Sequence, residues 1–583
     1  RSQKYASMTR WRQSRKGQWI TATNAENQRQ VNQLMAGLYE LGLRKGDAVG
    51  ILSNTSCEWG QMDWATKNLG GVTVTIYPSL MPDTIAFIAN DSSTKVLAIE
   101  DKEQYDKLTK VRSELANVQK VIVFDPTGMP SDDWVMTFDA LKTLHKGSAE
   151  EQMQLAKQLA AAIQPEDPAT IIYTSGTTGN PKGAVLSHHS FMRQLDALRK
   201  SLPIAAGNID LLFLPLAHVF GHLQHLAGVY YGFNTAIIES MKTVVADIQS
   251  VKPELVFSVP RIYEKIFSTA KARSEQKATT KKIFNWAVNV AREMSRVKQN
   301  KQSPSAALKI QYALADKLVL HKIRALLGGN LRFAVTGAAP LDIEILEFFN
   351  GAGVPLLEGW GLTETTAAAT VNSPDNYRLG TVGRALDGIE IKIASDGEIL
   401  LRGPQIMQGY YNNSEKTSET FQDGWFMTGD IGVLDSDGFL KIVDRKKDLL
   451  ITAAGKNIAP QSVEAAFKNS QYISQCAVYG DRKPYLVGLL TLDMEVLTDW
   501  AKREGIELGA NPHEHPKVKE LIAAEAAAAN ATLASFEQLK YYEILPEDFS
   551  VENGLLTPTL KVRRKYIHDH YRTTYEELYQ SKK

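Results

Sequence analysis

The chain has 583 residues, of which 44% are hydrophobic and 22% are charged. This is ordinary globular usage, and it excludes a disordered or fibrous chain. The 66 basic and 65 acidic residues give a net charge of +1. This near-neutral charge excludes a protein whose entire surface binds nucleic acid. At roughly 150 residues for each domain, this length predicts two to four hydrophobic cores.

Cysteine usage points to a cellular compartment. The chain has two cysteines, Cys57 and Cys476, too few for a disulfide framework or a thiolate metal site, so a reducing compartment is favoured. The segment 1–5 lacks the apolar core of a signal peptide. We therefore expect a cytoplasmic protein.

Short β-branched runs alternate with helical patterns through the first two-thirds of the chain. The runs lie at 48–52, 96–99, 121–124, 255–257 and 333–335. Between the runs, apolar residues recur at the spacing of one helix face, as at Val31, Leu34, Met35 and Leu38. This alternation predicts βαβ units and an α/β fold with largely parallel sheets.

One uncharged segment raises the question of a membrane span. Residues 211–238 contain no Asp, Glu, Lys or Arg, and 28 residues could cross a bilayer. The segment also contains Pro215, Gln224 and three histidines, which are costly in hydrocarbon. We therefore predict a buried part of the core.

Those three histidines, His218, His222 and His225, are spaced along one helix face. The spacing makes a zinc site one alternative. The segment has no cysteine or carboxylate to complete such a site, so buried core histidines are the other alternative.

The segment 265–325, called here the basic insertion, has a charge of its own. Fourteen basic and three acidic residues give it a net charge of +11. Apolar residues such as Phe284, Ala287 and Val288 are interleaved, which predicts a basic amphipathic helix. The insertion is either a solvated helical surface or a face that docks on an anionic membrane. No recognition motif accompanies the charge, so we expect no nucleic-acid partner.

The pattern changes after about residue 380. Alternating runs flank Asp396-Gly397 and Asp437-Gly438, which predicts hairpins in a small antiparallel subdomain at about 380–444. The charged run 444–448 follows, and such a polar crossing is typical of a domain boundary. We therefore predict an N-terminal domain at 1–444 and a smaller α+β domain at 445–583.

The segment 171–183 carries the strongest chemical signal. A strand runs into a loop rich in glycine and hydroxyl groups, followed by Lys182. Backbone N–H groups, hydroxyls and a lysine form a cradle for polyphosphate. It is not a Walker loop, because Gly183 stands where Ser or Thr would bind the metal. The residues of this candidate cradle are Thr174, Ser175, Gly176, Thr177, Thr178, Gly179 and Lys182.

This segment resembles the phosphate-binding signature of the adenylate-forming (AMP-binding) superfamily, which includes acyl-CoA synthetases and luciferases. The segment 359–365, Gly-Trp-Gly-Leu-Thr-Glu-Thr, resembles the adenine and magnesium motif of that family. The resemblance implies that Trp360, beside Gly361, stacks on adenine. It also implies that Thr363 meets the α-phosphate and that Glu364 holds Mg²⁺.

Further segments extend the resemblance along the chain in the family's order. It implies an adenine loop at Gly337, Ala338 and Ala339, a ribose pair of Asp430 and Arg445, and a hinge at Lys447. It also implies a loop at the CoA tunnel with Gly455 and Lys456, an acyl pocket with His218 and Gly359, and a catalytic lysine, Lys561.

The segment around Lys561 also indicates a branch of the family. Many relatives have Gly before this lysine, whereas this chain has Leu560. The form Thr557-Pro558-Thr559-Leu560-Lys561 is similar to that of long-chain fatty acyl-CoA synthetases.

The implied reaction is ATP-dependent conversion of a long-chain fatty acid to acyl-AMP with release of pyrophosphate, followed by transfer to coenzyme A. Mg²⁺ is the implied cofactor; the fatty acid, ATP and CoA are the small-molecule partners. The alternatives are a fatty acyl-AMP ligase that loads a carrier protein, a medium-chain acyl-CoA synthetase and a non-catalytic membrane-surface protein. The enzyme is expected to be peripheral at the inner face of the membrane if the basic insertion docks there. Its oligomeric state is open, with a homodimer as one alternative.

Overall fold

The computed structural model describes residues 6–15, 17–174, 180–238, 240, 243–453, 456–550, 553–557 and 562–580. The strands in chain order are β1 (Thr9–Arg15), β2 (Gln18–Thr23), β3 (Ala48–Leu52), β4 (Val72–Ile76), β5 (Thr94–Ile99), β6 (Lys120–Val123), β7 (Val135–Thr137), β8 (Pro168–Thr174), β9 (Lys182–Ser187), β10 (Ile209–Leu212), β11 (Asn234–Ile237), β12 (Leu255–Ser258), β13 (Phe333–Thr336), β14 (Leu356–Trp360), β15 (Thr370–Val371), β16 (Arg384–Ala385), β17 (Glu390–Ile393), β18 (Glu398–Arg402), β19 (Gly409–Tyr410), β20 (Phe421–Gln422), β21 (Trp425–Leu434), β22 (Leu440–Arg445), β23 (Leu450–Ile451), β24 (Asn457–Ile458), β25 (Ile473–Tyr479), β26 (Leu486–Leu492) and β27 (Leu539–Ile544).

The α-helices in chain order are α1 (Asn24–Glu40), α2 (Cys57–Leu69), α3 (Pro82–Asp91), α4 (Lys102–Lys110), α5 (Phe138–Lys142), α6 (Ala149–Ala161), α7 (His188–Ser201), α8 (Val219–Ala227), α9 (Val244–Val251), α10 (Pro260–Ser274), α11 (Ala278–Gln299), α12 (Ala306–Ala315), α13 (His321–Leu326), α14 (Ile343–Gly351), α15 (Ser414–Thr420), α16 (Pro460–Lys468), α17 (Met494–Glu504), α18 (Pro516–Ala531), α19 (Arg564–His570) and α20 (Arg572–Gln580). Short 3₁₀ turns lie at Arg112–Glu114, Thr363–Thr365 and Pro512–Glu514, and π-helical turns lie at Gly228–Gly232 and Asp316–Leu320.

Two large sheets form the body of the molecule. The first has the order β19-β9-β8-β4-β3-β5-β6-β7, and the second has the order β16-β15-β14-β13-β12-β10-β11-β1-β2. The central strands of both sheets pair in parallel, and antiparallel strands are added at the edges. The α/β fold with parallel sheets is thus confirmed.

Helix α1 shows why the periodic segments form helices. Its N-cap Thr23 accepts a hydrogen bond from the Glu26 amide, and the Glu26 side chain accepts one from the Thr23 amide. This capping box satisfies free amides at the helix start. Val31, Leu34 and Met35 are buried on one side, as the spacing predicts.

The predicted antiparallel subdomain is also present. Strands β17, β18, β21 and β22 pair antiparallel, with turns at the two Asp-Gly pairs. Gly397 and Gly438 both have φ above +80°, which glycine adopts without strain. Strand β22 ends at Arg445.

Beyond this strand the chain builds a second body around the sheet β25-β26-β27. Two clusters of buried side chains support it, drawn from residues 450–544 and 477–578. Polar contacts join it to the earlier part of the chain: Arg261 Nη2 lies 3.8 Å from Asp493 Oδ2, and Lys265 Nζ lies 3.5 Å from Glu495 Oε2.

The uncharged segment 211–238 forms part of β10, then α8, a π-helical turn and β11, and most of it is buried in the core. In the described part of the chain, no helix is both long enough and apolar enough to cross a bilayer.

Helix α11 is the long helix of the basic insertion. The helix is amphipathic as predicted, but Phe284, Ala287 and Val288 are buried. The helix packs on α14, where Arg296 forms two 2.7 Å hydrogen bonds with Glu347. These buried apolar side chains therefore belong to the protein core.

Candidate active site

Asp430 lies at the centre of the first half of the site. Its Oδ2 accepts a 2.9 Å hydrogen bond from Trp360 Nε1, and its Oδ1 lies 3.0 Å from Arg445 Nε. Asp430 is buried, while the Arg445 side chain is half-exposed. A buried carboxylate with a cationic partner is suited to accept hydrogen bonds from ligand hydroxyls.

The antiparallel register explains this pairing. Asp430 in β21 stands directly opposite Arg445 in β22. The Thr428 hydroxyl donates to the carbonyl of Ile399 at 2.7 Å and accepts from the Asp430 amide at 3.1 Å. These bonds fix the strand that presents Asp430.

Glu364 lies at the centre of the second half of the site. Its Oε1 accepts a 2.8 Å hydrogen bond from the Tyr410 hydroxyl. The ammonium group of Lys182 lies 5.4 Å from the centre of the Tyr410 ring, within the range of a cation–π contact. Trp360 and Glu364 belong to the same motif, and the charge of Arg445 acts on Tyr410. The two halves are therefore neighbours, and together they are called here the cleft.

Burial and neighbouring charges tune this cleft. Partial burial, together with the charges of Lys416 and Lys447, lowers the pKa of Lys182. Burial and the neighbouring Glu364 carboxylate raise the pKa of Tyr410. The Tyr410 hydroxyl therefore keeps its proton and acts as a hydrogen-bond donor.

The predicted phosphate cradle begins at the end of β8. Thr174 stands opposite Lys182 in the antiparallel β8–β9 pair, so the first and last residues of the predicted cradle are adjacent. Ser175, Gly176, Thr177, Thr178 and Gly179 lie outside the described residues, so their roles stay predictions.

The backbone of the motif around Thr363 requires glycine and unusual torsion angles. A Cβ at Gly361 would lie 1.9 Å from the carbonyl oxygen of Ala367. Thr366, Ala367 and Ala338 have positive φ angles, which are rare for residues with a side chain and cluster at functional sites.

The residues of the predicted acyl pocket lie next to this motif. A Cβ at Gly337 would lie 3.1 Å from the carbonyl oxygen of Gly359 and 3.8 Å from the Phe220 ring. His218 caps α8, and its Nδ1 accepts a hydrogen bond from the Phe220 amide at 3.2 Å. His218, Gly337, Ala338, Ala339 and Gly359 therefore lie in one region.

The C-terminal site residues have different positions. The charge of Lys447 acts on both Lys182 and Glu419, so the predicted hinge residue lies near these two side chains. Lys456 Nζ lies 6.0 Å from the centre of the exposed Phe536 ring, and its described contacts do not connect it to the cleft. Gly455 and Lys561 lie outside the described residues.

His222 and His225 are buried, with Asp63 and Lys67 of α2 beside them. His222 Nε2 lies 3.3 Å from Lys67 Nζ and 3.7 Å from Asp63 Oδ1, and His225 Nε2 lies 3.5 Å from Asp63 Oδ2. Burial lowers the pKa of His222 to about 3. The described residues contain no group of three or more His, Cys, Asp or Glu that could hold a metal ion; the Lys67 ammonium already pairs with Asp63.

Sequence reasoning missed two residues of this region, Tyr410 and Glu358. Tyr410 lies 46 residues from Glu364 in the segment Gln408-Gly409-Tyr410-Tyr411, which has the composition of a turn. Glu358 directly precedes the Gly359 motif. The signal in the sequence that could have identified it is an acidic residue in the apolar run that leads into this motif. Its carboxyl is buried, and its Oε2 has no hydrogen-bond partner.

The described side chains fit one Mg²⁺ bound together with a nucleotide. Mg²⁺ usually keeps several waters and binds one or two carboxylates along with substrate phosphates. Glu364 is partly exposed, and Tyr410 contacts one of its two oxygens. One carboxylate near the Lys182 ammonium matches this donor set, and it does not form a cation cage by itself.

The cleft lies where β8, β13 and β14 end, and parallel α/β sheets bind ligands at the carboxyl ends of their strands. The fold and the site thus define the class of nucleotide-binding α/β enzymes. A model of AMP-binding enzymes matches residues 3–411, and a model of the C-terminal domain of AMP-binding enzymes matches residues 447–583. The chain belongs to the AMP-binding enzyme family, which confirms the resemblance.

Curated relatives match over nearly the whole chain. The Long-chain-fatty-acid–CoA ligase FadD15 of Mycobacterium tuberculosis is 35% identical over 97% of this chain and 93% of the relative. The peroxisomal Long chain acyl-CoA synthetase 7 of Arabidopsis thaliana is 31% identical over 96% of this chain and 81% of the relative.

Solved structures share the fold. The adenylation domain of a carboxylate reductase from Mycobacterium chelonae has a TM-score of 0.77 at 23% identity, covering 99% of this chain and 90% of that chain. An anthranilate CoA ligase in complex with anthranoyl-AMP has a TM-score of 0.72 at 20% identity, covering 98% and 96%.

Proposed function

We propose that this enzyme is an AMP-forming long-chain fatty acid–CoA ligase. The observation that carries the proposal is the single cleft in which Trp360, Asp430 and Arg445 adjoin Glu364 and Lys182. Relatives that are named for this activity, at 31% to 35% identity over almost the whole chain, support the same reaction.

In the first half-reaction, an oxygen of the fatty carboxylate attacks the α-phosphorus of ATP. The bond from that phosphorus to the bridging oxygen breaks, and pyrophosphate leaves. Negative charge on the phosphoryl oxygens makes positioning and electrostatic stabilisation the main contributions of the protein. Lys182 supplies a fixed positive charge, and Thr363 and the 174–182 loop supply hydrogen-bond donors. Bound Mg²⁺, held by Glu364, would neutralise phosphate charge.

Asp430 and Arg445 are proposed to hold the ribose, because a buried carboxylate accepts hydrogen bonds from neighbouring hydroxyls. Trp360 offers its ring to the adenine. Its Nε1 is already bonded to Asp430, so one contact orients both groups. The loop 337–339 and Gly361 line the adenine side.

In the second half-reaction, the CoA thiolate attacks the carbonyl carbon of the acyl-adenylate, and AMP leaves. We propose that the domain 445–583 turns about Lys447 between the two steps, because one hinge can present different residues to the same cleft. Lys561 would serve adenylation, and Gly455 and Lys456 would line the CoA tunnel. The acyl chain would lie beside His218 and Gly359.

We also propose that the basic insertion draws the enzyme to the anionic inner face of the membrane, because a net charge of +11 favours anionic lipid. Long-chain acids partition into bilayers, so such a location would bring the enzyme to its substrate.

The activity is tested by pyrophosphate release with palmitate and Mg-ATP. Release should require both compounds, and adding CoA should convert acyl-AMP to acyl-CoA. Release equal to that of the control without acid would refute adenylation. Acyl-AMP that transfers to a carrier protein but not to CoA would favour the ligase alternative, and an optimum below ten carbons across C6 to C20 acids would favour the medium-chain alternative.

A further inference from the structure

Helix α12 and the π-helical turn that follows it carry a row of exposed apolar side chains. Ile310, Leu314 and Leu318 are 64%, 51% and 45% exposed. Residues four positions apart lie on the same side of a helix, so the three form one row about 12 Å long. Contiguous exposed apolar side chains are typical of interaction sites.

Contacts on its opposite side hold α12 in this orientation. Leu308 and Ala315 are buried in the core. The Tyr312 hydroxyl donates a 2.8 Å hydrogen bond to the carbonyl of Gly351 at the end of α14. The row of Ile310, Leu314 and Leu318 therefore faces away from the protein.

The charges beside the row are positive. Lys309, Lys317 and Lys322 are exposed along the same stretch. Asp316 is the single acidic residue between 294 and 341, and its Oδ1 lies 2.6 Å from Arg324 Nη1. This ion pair offsets its charge, so the surface around the row is cationic.

These features favour one of two candidate binding partners of the row, a second copy of the chain or an anionic bilayer. A second copy of the chain, docked through the same face, would bring lysines against lysines, and this repulsion opposes association. An anionic bilayer accepts apolar side chains below its headgroups, while lysines bind the headgroups above them.

We propose that Ile310, Leu314 and Leu318 insert into the interface of an anionic lipid bilayer, with Lys309, Lys317 and Lys322 on the headgroups. This inference rests on the proposed function for its purpose, which is access to a membrane-dissolved acid. It places the membrane contact on α12 within the basic insertion, and it makes binding depend on apolar insertion as well as on charge.

The test measures binding to vesicles of phosphatidylcholine with 30% phosphatidylglycerol by co-sedimentation, against vesicles of phosphatidylcholine alone. The first variant replaces Ile310, Leu314 and Leu318 with Ser and keeps every charge. The second replaces Lys309, Lys317 and Lys322 with Glu. The matched control replaces Val433, Leu434 and Val443 with Ser, because these apolar residues are also exposed but lie on the antiparallel sheet.

We expect the natural protein and the matched control to bind the anionic vesicles. The serine variant should lose about ten-fold or more in affinity, because it removes apolar burial, and the glutamate variant should lose binding. Undiminished binding of the serine variant would overturn the proposal. So would equal binding to both kinds of vesicle, or a dimer of the natural protein that the serine variant dissociates.

A second measurement places the row relative to the lipid. Cys57 and Cys476 are buried, so a dye that reports polarity can be attached selectively at Leu314→Cys or, as a control, at Val433→Cys. The dye at position 314 should shift to the blue with anionic vesicles, and the dye at position 433 should not. Equal spectra at the two positions would overturn insertion.

A further assay distinguishes the proposed ligase activity from the proposed membrane binding. It measures pyrophosphate release with a fatty acid dissolved below its critical micelle concentration, so that no lipid surface is involved. All of these variants should retain that release, because none alters the cleft. If the natural protein shows no release but binds vesicles through the row, the proposed function fails and the docking face stands.

Discussion

At the residue scale, Tyr410 connects the two charges that the proposed reaction needs at the phosphates. Its hydroxyl donates to Glu364, and its ring lies against the Lys182 ammonium. Without this ring, a lysine and a carboxylate in the same cleft could pair directly. Tyr410 therefore separates them and leaves both charges available to a nucleotide and its metal.

Tyr410→Phe should lower kcat/KM for Mg-ATP in pyrophosphate release by about ten-fold, because a hydrogen bond to a charged group contributes about 1.5–3 kcal/mol. The ring, and hence the contact with Lys182, is kept. Steady-state kinetics at varied Mg-ATP provide the measurement. Tyr411→Phe is the matched control, because that ring packs on the core of the first sheet. Equal kinetics for Tyr410→Phe and the natural protein would contradict the role.

At the element scale, Glu358 is a buried carboxyl within strand β14. The amides of Leu341 and Gly380 contact its carboxyl, and burial raises its pKa to about 8. Leu341 ends the loop 337–341 at the adenine side. A protonated, uncharged Glu358 therefore lies in the strand that carries Gly359 and Trp360, close to this loop.

The raised pKa makes stability depend on pH in a defined direction. The folded protein retains this proton up to about pH 8, whereas the ordinary value is 4.5. The stability contributed by Glu358 is therefore complete below about pH 4.5 and is lost as the pH rises through about 8. Glu358→Gln keeps an oxygen acceptor and cannot ionise. As the pH rises between these values, the free energy of unfolding of Glu358→Gln should increase relative to that of the natural protein by about 1 kcal/mol for each pH unit.

Denaturant unfolding at several pH values between 5 and 8.5 measures this difference. Glu415→Gln, at an exposed position of α15, is the control, and its difference from the natural protein should not change with pH. A difference for Glu358→Gln that is constant over the same range would show that Glu358 is ionised in the folded protein.

At the scale of the whole molecule, polar contacts join the two predicted domains, 1–444 and 445–583. They include Lys265 with Glu495, Arg261 with Asp493, and a 2.9 Å hydrogen bond from Asn469 to Asp342. The Lys265 and Glu495 side chains are largely exposed, and such pairs contribute no more than about 1 kcal/mol. An exposed pair this weak adds little resistance to the rotation that the proposed mechanism requires.

Lys265→Glu and Glu495→Lys should each change the ratio of the adenylation and thioester rates in the same direction, by at most about five-fold. The double variant restores the opposite charges and should return the ratio toward its natural value. Separate assays of acyl-AMP and acyl-CoA formation provide the measurement. Arg402→Glu breaks a pair with Glu390 inside the antiparallel sheet and should not alter the ratio. If the double variant changes the ratio of the two rates by the product of the two single changes, Lys265 and Glu495 are not coupled and the prediction is contradicted.

Local patterns in the sequence determined the family, the α/β fold with its antiparallel subdomain, and the residue types of the cleft. Strand alternation, helix spacing and Asp-Gly turns act over a few residues, so they can be recognised without a structure. The motif around Glu364 is also a continuous segment, and its chemistry can be inferred from its composition.

Only the tertiary structure decided which side chains meet and which surfaces stay open. Tyr410 reaches Glu364 across 46 residues, and Trp360 reaches Asp430 across 70; no local pattern encodes such contacts. The same limit applies to surfaces. Periodicity shows that α11 has an apolar face, but what covers a face depends on distant elements. Packing on α14 buries the apolar face of α11, whereas the row on α12 remains exposed, because burial is a property of the assembled chain.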